Sequence, residues 1–163
     1  MSFWEKFDKI VEKFITFFSI FFTGVLIVFT LVLVVSRYFL HLNLHGWEET
    51  PIMIMTIIVW VAAVLVARKD NMISIDLIYI IVKNEKAQLA IRAFGHLVSI
   101  LAMGYFSYLA YEFVADSIAK NIRSAAVGFP MWPVHSVVLI GAVGMTLAYL
   151  ANFISTVRRL ISK

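Results

Sequence analysis

Four long runs of apolar residues, separated by short polar segments, dominate the chain. The runs cover about residues 14–36, 50–67, 93–111 and 131–157, and charged residues cluster at their ends. Because a helix rises about 1.5 Å per residue, about 20 apolar residues cross a hydrocarbon core of about 30 Å. The pattern therefore predicts an all-α integral membrane protein, with four transmembrane helices in a single membrane domain over residues 1–163.

Two further segments have the composition of interfacial helices. Residues 3–13 place Trp4 and other apolar side chains on one helical face and charged side chains on the other. Such a helix either lies in the membrane interface or continues the first span into water. Residues 74–82 are also predicted to form a short interfacial helix.

Composition supports the membrane assignment. The chain is 62% hydrophobic and 15% charged, whereas soluble domains are nearer half apolar and a quarter charged. The net charge of +4 comes from residues at the ends of apolar runs, which indicates membrane topology and anionic lipid rather than a nucleic-acid partner. The absence of cysteine excludes disulfides and thiolate sites. The first apolar run is too long for the apolar region of a signal peptide, so we expect that the N-terminal segment is not cleaved off.

The basic residues predict the orientation. Of the 14 lysines and arginines, 11 lie in the N-terminal segment, the middle connection and the C-terminal segment. The other two connections hold only Arg37, Lys120 and Arg123. Since cytoplasmic loops carry the excess of positive charge, both termini are predicted to face the cytoplasm.

Two histidines lie inside predicted spans, but they do not form a haem site. His96 enters the bilayer from the cytoplasmic side and His135 from the outer side. They are predicted to stand roughly 20 Å apart along the membrane normal. One iron cannot bridge that distance, so each is interpreted as a packing or interfacial residue.

Other chemistry is also weakly represented. His41 and His45 precede two glutamates, but they would form a metal site only in a helical loop with the carboxylates folded back. No catalytic triad, P-loop or glycine-rich nucleotide motif is visible. No span carries a charge at mid-depth, which a pump or substrate site ordinarily needs. We therefore expect no enzymatic activity and no bound cofactor or metal.

The connection of residues 37–51 concentrates charge between the first two spans. Arg37 lies at the C-terminal end of span one, while Glu48 and Glu49 open span two, positions that the helix dipoles favour for these charges. The turn brings the two ends together, so we predict a carboxylate–guanidinium bridge with at least one glutamate, the other being free for a partner. The alternative is a set of independent, solvated charges.

Two features indicate packing between helices. Trp60 lies near mid-depth, away from the interfacial belt in which tryptophan is usually found. Small residues recur at helical spacing on the fourth span and would let helix backbones approach closely in lipid. These are Gly141, Gly144, Ala148 and Ala151. Span one carries a stripe of phenylalanines at positions 14, 17, 18, 21 and 22. This stripe and the small-residue row are rival candidates for contact with a partner, and the row could equally serve internal packing.

These residues together form a recognisable order. An arginine ends span one, Trp-Glu-Glu opens span two, and a tryptophan, paired alanines, an arginine and an aspartate follow. They are Arg37, Trp47, Glu48, Glu49, Trp60, Ala62, Ala63, Arg68 and Asp76. This order resembles the small membrane subunit (the Q-subunit, DctQ-like) of TRAP transporters, the tripartite ATP-independent periplasmic family. Met72 stands where the family pattern has histidine, so the resemblance assigns it no role.

The resemblance implies a non-enzymatic subunit of a sodium-coupled importer (a symporter) in a bacterial inner membrane. A larger multi-spanning permease subunit would hold the sodium and solute sites, and a periplasmic solute-binding protein would deliver a carboxylate solute of the dicarboxylate or sialic-acid type. The small subunit would brace the permease, and seven residues of that order would serve as clasp or partner contacts: Arg37, Trp47, Glu48, Glu49, Trp60, Arg68 and Asp76. The alternatives are the membrane anchor of an oxidoreductase and a stand-alone small transporter.

Overall fold

The fold is built from four long α-helices. A computed structural model describes residues 3–41, 47–69, 84–125 and 127–161, with the backbone alone for residues 3–9 and 11. The helices are α1 (Phe3–Tyr38), α2 (Thr50–Lys69), α3 (Glu85–Ala119) and α4 (Trp132–Ile161), and a 3-10 turn (Trp47–Glu49) leads into α2. Each is long and apolar enough to cross a membrane, counting α2 together with its 3-10 turn, which confirms the prediction of four helices of membrane-spanning length.

The first helix is longer than its apolar run. Residues 3–13 and the first span form one continuous helix of 36 residues, so the amphipathic segment continues the span rather than forming a separate helix. The third helix likewise extends beyond its apolar run, through Glu112 and Asp116 to Ala119. The other predicted interfacial helix, residues 74–82, lies outside the described residues.

The helices pack in an order that differs from their order in the chain. α1 contacts α2, α2 contacts α4, and α4 makes its most extensive contacts with α3. Ser117 of α3 lies beside His135 of α4, whereas His96 lies beside Tyr149, so these two helices are antiparallel. Gly141 of α4 lies beside Trp60 of α2 and Gly144 lies beside Val64, so α2 and α4 run parallel. The polar segments that precede them therefore meet at the same end of the bundle.

Small residues bring α2 and α4 together. A Cβ placed on Gly141 would lie 3.0 Å from the side chain of Trp60, and one placed on Gly144 would lie 3.1 Å from Val64. Trp60 also stacks on Phe106 of α3, with ring centroids 5.3 Å apart and planes 11° apart. The glycines thus provide the space in which Trp60 fills the junction of three helices.

The connection between α3 and α4 is closed by its own backbone. Asn121 and Gly128 adopt positive φ angles of 46° and 70°, a conformation that these two residue types accept most readily. Ser124 N–H donates to Phe129 O at 2.8 Å. The backbones of Arg123 and Pro130 form an isolated antiparallel β-bridge. The segment is therefore a compact turn that can present side chains in defined positions.

Candidate functional site

The polar clasp, defined as Arg37, Glu48, Glu49 and Ser124, lies where α1 ends and where the chain approaches α2 and α4. Arg37 Nη1 donates to Glu48 Oε1 at 3.1 Å. Both side chains are about two-thirds exposed, so water screens the pair and it contributes at most about 1 kcal/mol. The bridge joins α1 to α2, but it is not the main source of their association.

Glu49 has a different environment from its neighbour. It is half-buried, and Glu49 Oε2 accepts a hydrogen bond from the hydroxyl of Ser124, which is itself buried. The same Ser124 oxygen accepts a hydrogen bond from Val127 N–H at 3.1 Å. The expectation that the second glutamate is free for a partner is therefore wrong, because Glu49 holds the α3–α4 connection against the start of α2.

An aromatic contact supports the clasp on the α1 side. Trp47 lies in the 3-10 turn, and its ring centroid is 6.1 Å from that of Phe29. Trp47 remains 48% exposed. An indole that is half covered at the end of a span suits the membrane interface, where one edge meets apolar groups and the other meets water.

The opposite end of α1 and α2 holds a second ion pair. Lys69 Nζ lies 2.6 Å from Glu12 Oε1, and both side chains are about half-exposed. Twenty-five residues of α1 separate Glu12 from Arg37, a rise of about 37 Å. The two ion pairs thus bracket a length slightly greater than a hydrocarbon core of about 30 Å.

The remaining predicted site residues lie away from the clasp. Arg68 lines a groove between α2 and α4 together with Gly144, Ala148 and Ala151. At this end, Asn152 Nδ2 donates to Ala67 O at 2.8 Å. Asp76 and Met72 lie outside the described residues.

The histidines are far apart. His135 contacts Ser117 of α3. Ser117 lies 21 residues along the same helix from His96, so His96 and His135 are about 31 Å apart along the helix axis. His41 ends the α1 segment with a positive φ of 51°, which interrupts the helical geometry that a His41–His45 site would require; His45 lies outside the described residues. Within the described ranges, no group of three or more potential ligands could hold a metal.

Sequence reasoning missed three contributors to this arrangement: Ser124, the Glu12–Lys69 pair and Asn152. A buried serine 75 positions from its carboxylate partner has no local signature in the sequence. The Glu12–Lys69 pair could have been anticipated from the continuous α1 helix, since both residues lie on the predicted cytoplasmic side. Asn152 was visible as a polar residue in an apolar run, where such a side chain usually bonds to a neighbouring helix.

Comparison with known proteins identifies the family. A family model described as "Tripartite ATP-independent periplasmic transporters, DctQ component" matches residues 26–159. No curated protein and no solved structure matches the chain. The match covers most of the chain and includes the clasp, Trp60 and the small-residue row of α4. The chain therefore belongs to the DctQ component family of the tripartite ATP-independent periplasmic transporters, as the sequence pattern indicates.

Proposed function

We propose that this chain is the non-catalytic small subunit of a sodium-coupled importer of carboxylate solutes, in the inner membrane of a bacterium. The family match is the observation that carries this proposal. The subunit braces a larger multi-spanning permease, which holds the sodium and solute sites. The spans of this chain agree with that division, because their central portions contain no charged residue that could form an ion or solute path.

The clasp supports a bracing role. It joins the end of α1, the start of α2 and the segment before α4 through one ion pair and one buried hydrogen bond. Three segments that are distant in sequence are therefore held in one surface. We propose that this surface faces the periplasm and contributes to the docking of the solute-binding protein. Arg37, Trp47 and Glu48 are the exposed side chains available for that contact.

The proposed orientation places both termini in the cytoplasm. The chain has no cysteine, so single cysteines can report exposure without a background. Ala125→Cys, in the α3–α4 connection, should react with a membrane-impermeant maleimide in intact cells whose outer membrane has been permeabilised. Arg159→Cys should react only after the inner membrane is opened. The reverse pattern would refute the orientation.

Co-purification tests the function itself. The tagged chain, extracted in mild detergent from membranes that express its neighbouring genes, should retain a larger multi-spanning protein. Liposomes containing both chains should take up a carboxylate solute only with a sodium gradient and the binding protein, whereas either chain alone should give no uptake. Uptake by this chain alone, or its purification without any larger membrane protein, would contradict the proposal.

A further inference from the structure

One exposed face of α3 carries polar groups within the membrane-spanning length. Leu101, Tyr105, Tyr108 and Glu112 recur at helical spacing, within an arc of about 60°. Leu101 and Tyr105 are each 66% exposed and Tyr108 is 56% exposed. The contacts of α3 with α4 lie on the other side of the helix, where Ser117 is buried against His135. We call these four residues the tyrosine face.

Contacts with neighbouring helices give the depth of this face. Trp60 stacks on Phe106 and lies ten residues, about 15 Å, beyond Thr50, where α2 begins. Glu112 lies six residues beyond Phe106 in the outward direction, about 9 Å. It therefore lies about 6 Å short of the level at which α2 begins.

The contact between Ser117 and His135 gives a similar depth. Ser117 lies near the end of α3, and Glu112 lies five residues deeper, about 7.5 Å. Tyr105 lies deeper still, at the level of the Trp60–Phe106 stack. Although the apolar run alone predicts that α3 leaves the membrane after residue 111, these contacts place Glu112 inward of the clasp.

The chemistry of this face is poorly suited to lipid. Tyr108 donates its hydroxyl hydrogen to Glu112 Oε1 at 2.6 Å, which keeps a carboxylate and a phenol together on an exposed helix surface. Within the described part of the chain, no acceptor takes the hydroxyl of Tyr105 and no cation pairs with Glu112. Tyrosine usually lies at the interface rather than at mid-depth, and an ionised group is costly in hydrocarbon.

The exposed face of α1 is different. Phe17, Ile20 and Val28 are exposed and wholly apolar. The hydroxyls of Thr23 and Thr30 are bonded to the carbonyls of their own helix at 2.7 Å. Such a surface can face lipid acyl chains without leaving a polar group unbonded. On the tyrosine face, the Tyr105 hydroxyl and the Glu112 carboxylate can still form hydrogen bonds with another protein.

The small-residue row of α4 is also less suited to a partner. Gly141 and Gly144 are already filled by Trp60 and Val64 of α2. Of the two faces that the sequence suggested, one is therefore apolar and the other is already partly used within the bundle.

We propose that the tyrosine face docks against the larger membrane subunit, and that Glu112 receives a lysine or arginine side chain from one of its helices. The proposal rests on the proposed function, since it names the face through which bracing occurs. The partner is assigned by charge complementarity: a carboxylate that already accepts one phenolic hydrogen still has several acceptor positions, and a charge-assisted bond best satisfies them away from water.

Site-specific cross-linking tests the docking face. A photoreactive phenylalanine analogue replaces Tyr105 on the tyrosine face, Ile140 on α4 or Ile20 on α1, the last two being 69% and 68% exposed. Irradiated native membranes should give an adduct from position 105, with the linked peptide identified by mass spectrometry in a helix of the larger subunit. Adducts from the two control positions should be weaker by about ten-fold, because cross-linking needs direct contact.

Charge variants test the cation. With the photoreactive group at Tyr105, Glu112→Lys should reduce adduct yield by about ten-fold, since like charges would then oppose each other across the interface. Glu112→Gln should reduce it less. Asp116→Asn is the matched control, because Asp116 lies one turn away and is already paired with Lys120 at 2.6 Å. The reversed charge pair is the rescue experiment. When the lysine or arginine in the linked helix is replaced by glutamate, the adduct yield of the Glu112→Lys variant should be restored.

The outcomes separate this inference from the function on which it rests. Adducts with the larger subunit from Ile20 or Ile140 but not from Tyr105 would refute the docking face and leave the proposed function intact. Adducts from Tyr105 with lipid, a second copy or the soluble binding protein would also refute it. An unchanged adduct yield in Glu112→Lys would refute the proposed pairing of Glu112 with a lysine or arginine of the larger subunit. Failure of the larger protein to co-purify with the unmodified chain would refute both proposals.

Discussion

Glu49 and Ser124 are 75 positions apart, yet the hydroxyl of Ser124 donates to the carboxylate of Glu49. This bond connects the start of α2 with the segment before α4, and α2 and α4 then pack side by side along their lengths. Ser124 is buried and also accepts a hydrogen bond from Val127 N–H. One serine thus satisfies a carboxylate and a backbone amide and sets the position of the α3–α4 connection.

Removing the Ser124 hydroxyl should destabilise this end of the bundle. In Ser124→Ala, the Val127 amide and Glu49 each lose a partner in a half-buried setting, which costs about 1–3 kcal/mol. We expect a lower thermal unfolding midpoint in detergent and faster proteolysis within residues 120–131. Ser136→Ala is the matched control, because that hydroxyl bonds to Trp132 O of its own helix at 2.7 Å. Equal effects in the two variants would contradict the role assigned to Ser124.

Arg37 should matter more for assembly than for stability. Because the Arg37–Glu48 pair is about two-thirds exposed, Arg37→Ala should change the free energy of unfolding by less than about 1 kcal/mol. If the clasp contacts other subunits, the same variant should lower co-purification of the larger membrane subunit and of the solute-binding protein several-fold. Both quantities are measured on the same preparation, by thermal unfolding and by quantitative blotting.

Lys69→Ala is the matched control for that prediction. It breaks the other ion pair between the same two helices, at a similar exposure but at the opposite end. Its effect on stability should resemble that of Arg37→Ala, while binding of the periplasmic protein should be unchanged. Equal loss of that binding in both variants would show that the clasp has no special position in the complex.

The sequence was sufficient for the helices and insufficient for their arrangement. Apolar runs separated by charge predict the number of spans because the bilayer sets their length, and the four observed helices agree. The dipole argument also placed Arg37 close to a glutamate, and the pair with Glu48 is present. Both inferences use neighbouring segments of chain.

The contacts that were missed depend on the order of the helices in space. The α1–α2–α4–α3 arrangement brings Ser124 to Glu49 and Asn152 to Ala67, and periodicity within a single run carries no information on that order. The depth of Glu112 depends likewise on the register between α2 and α3, which is seen in the stack of Trp60 on Phe106.

Replacing Gly141 with alanine, the smallest possible enlargement of its side chain, should destabilise the protein. In Gly141→Ala, the new Cβ would lie 3.0 Å from the Trp60 side chain and 3.2 Å from its backbone oxygen, so Trp60 must shift by a few tenths of an ångström. Overpacking of this kind costs about 1–3 kcal/mol. Thermal unfolding should detect the loss, and a change in tryptophan emission should accompany it.

Gly104→Ala provides the control for that substitution. Gly104 is in the middle of α3, and a Cβ there meets nothing within 4 Å. The change should be neutral or stabilising by up to about 1 kcal/mol, because alanine favours a helix more than glycine does. A destabilisation equal to that of Gly141→Ala would mean that close packing against Trp60 is not the reason for the glycine.

Asn152 should hold α2 against α4 at the end opposite the clasp. Ala67 lies in the last turn of α2, where backbone carbonyls lack a partner within the helix, and Asn152 Nδ2 donates to its oxygen at 2.8 Å. Asn152→Ala should cost about 0.6 kcal/mol, the average for hydrogen bonds between membrane helices, and no more than about 1.7 kcal/mol, the largest value found. Spin labels on α2 and α4 near this end should show a broader distance distribution, while labels near the clasp should not. Asn152→Gln, with a longer side chain, should recover only part of the loss, and full stability in Asn152→Ala would show that water or lipid replaces the bond without cost.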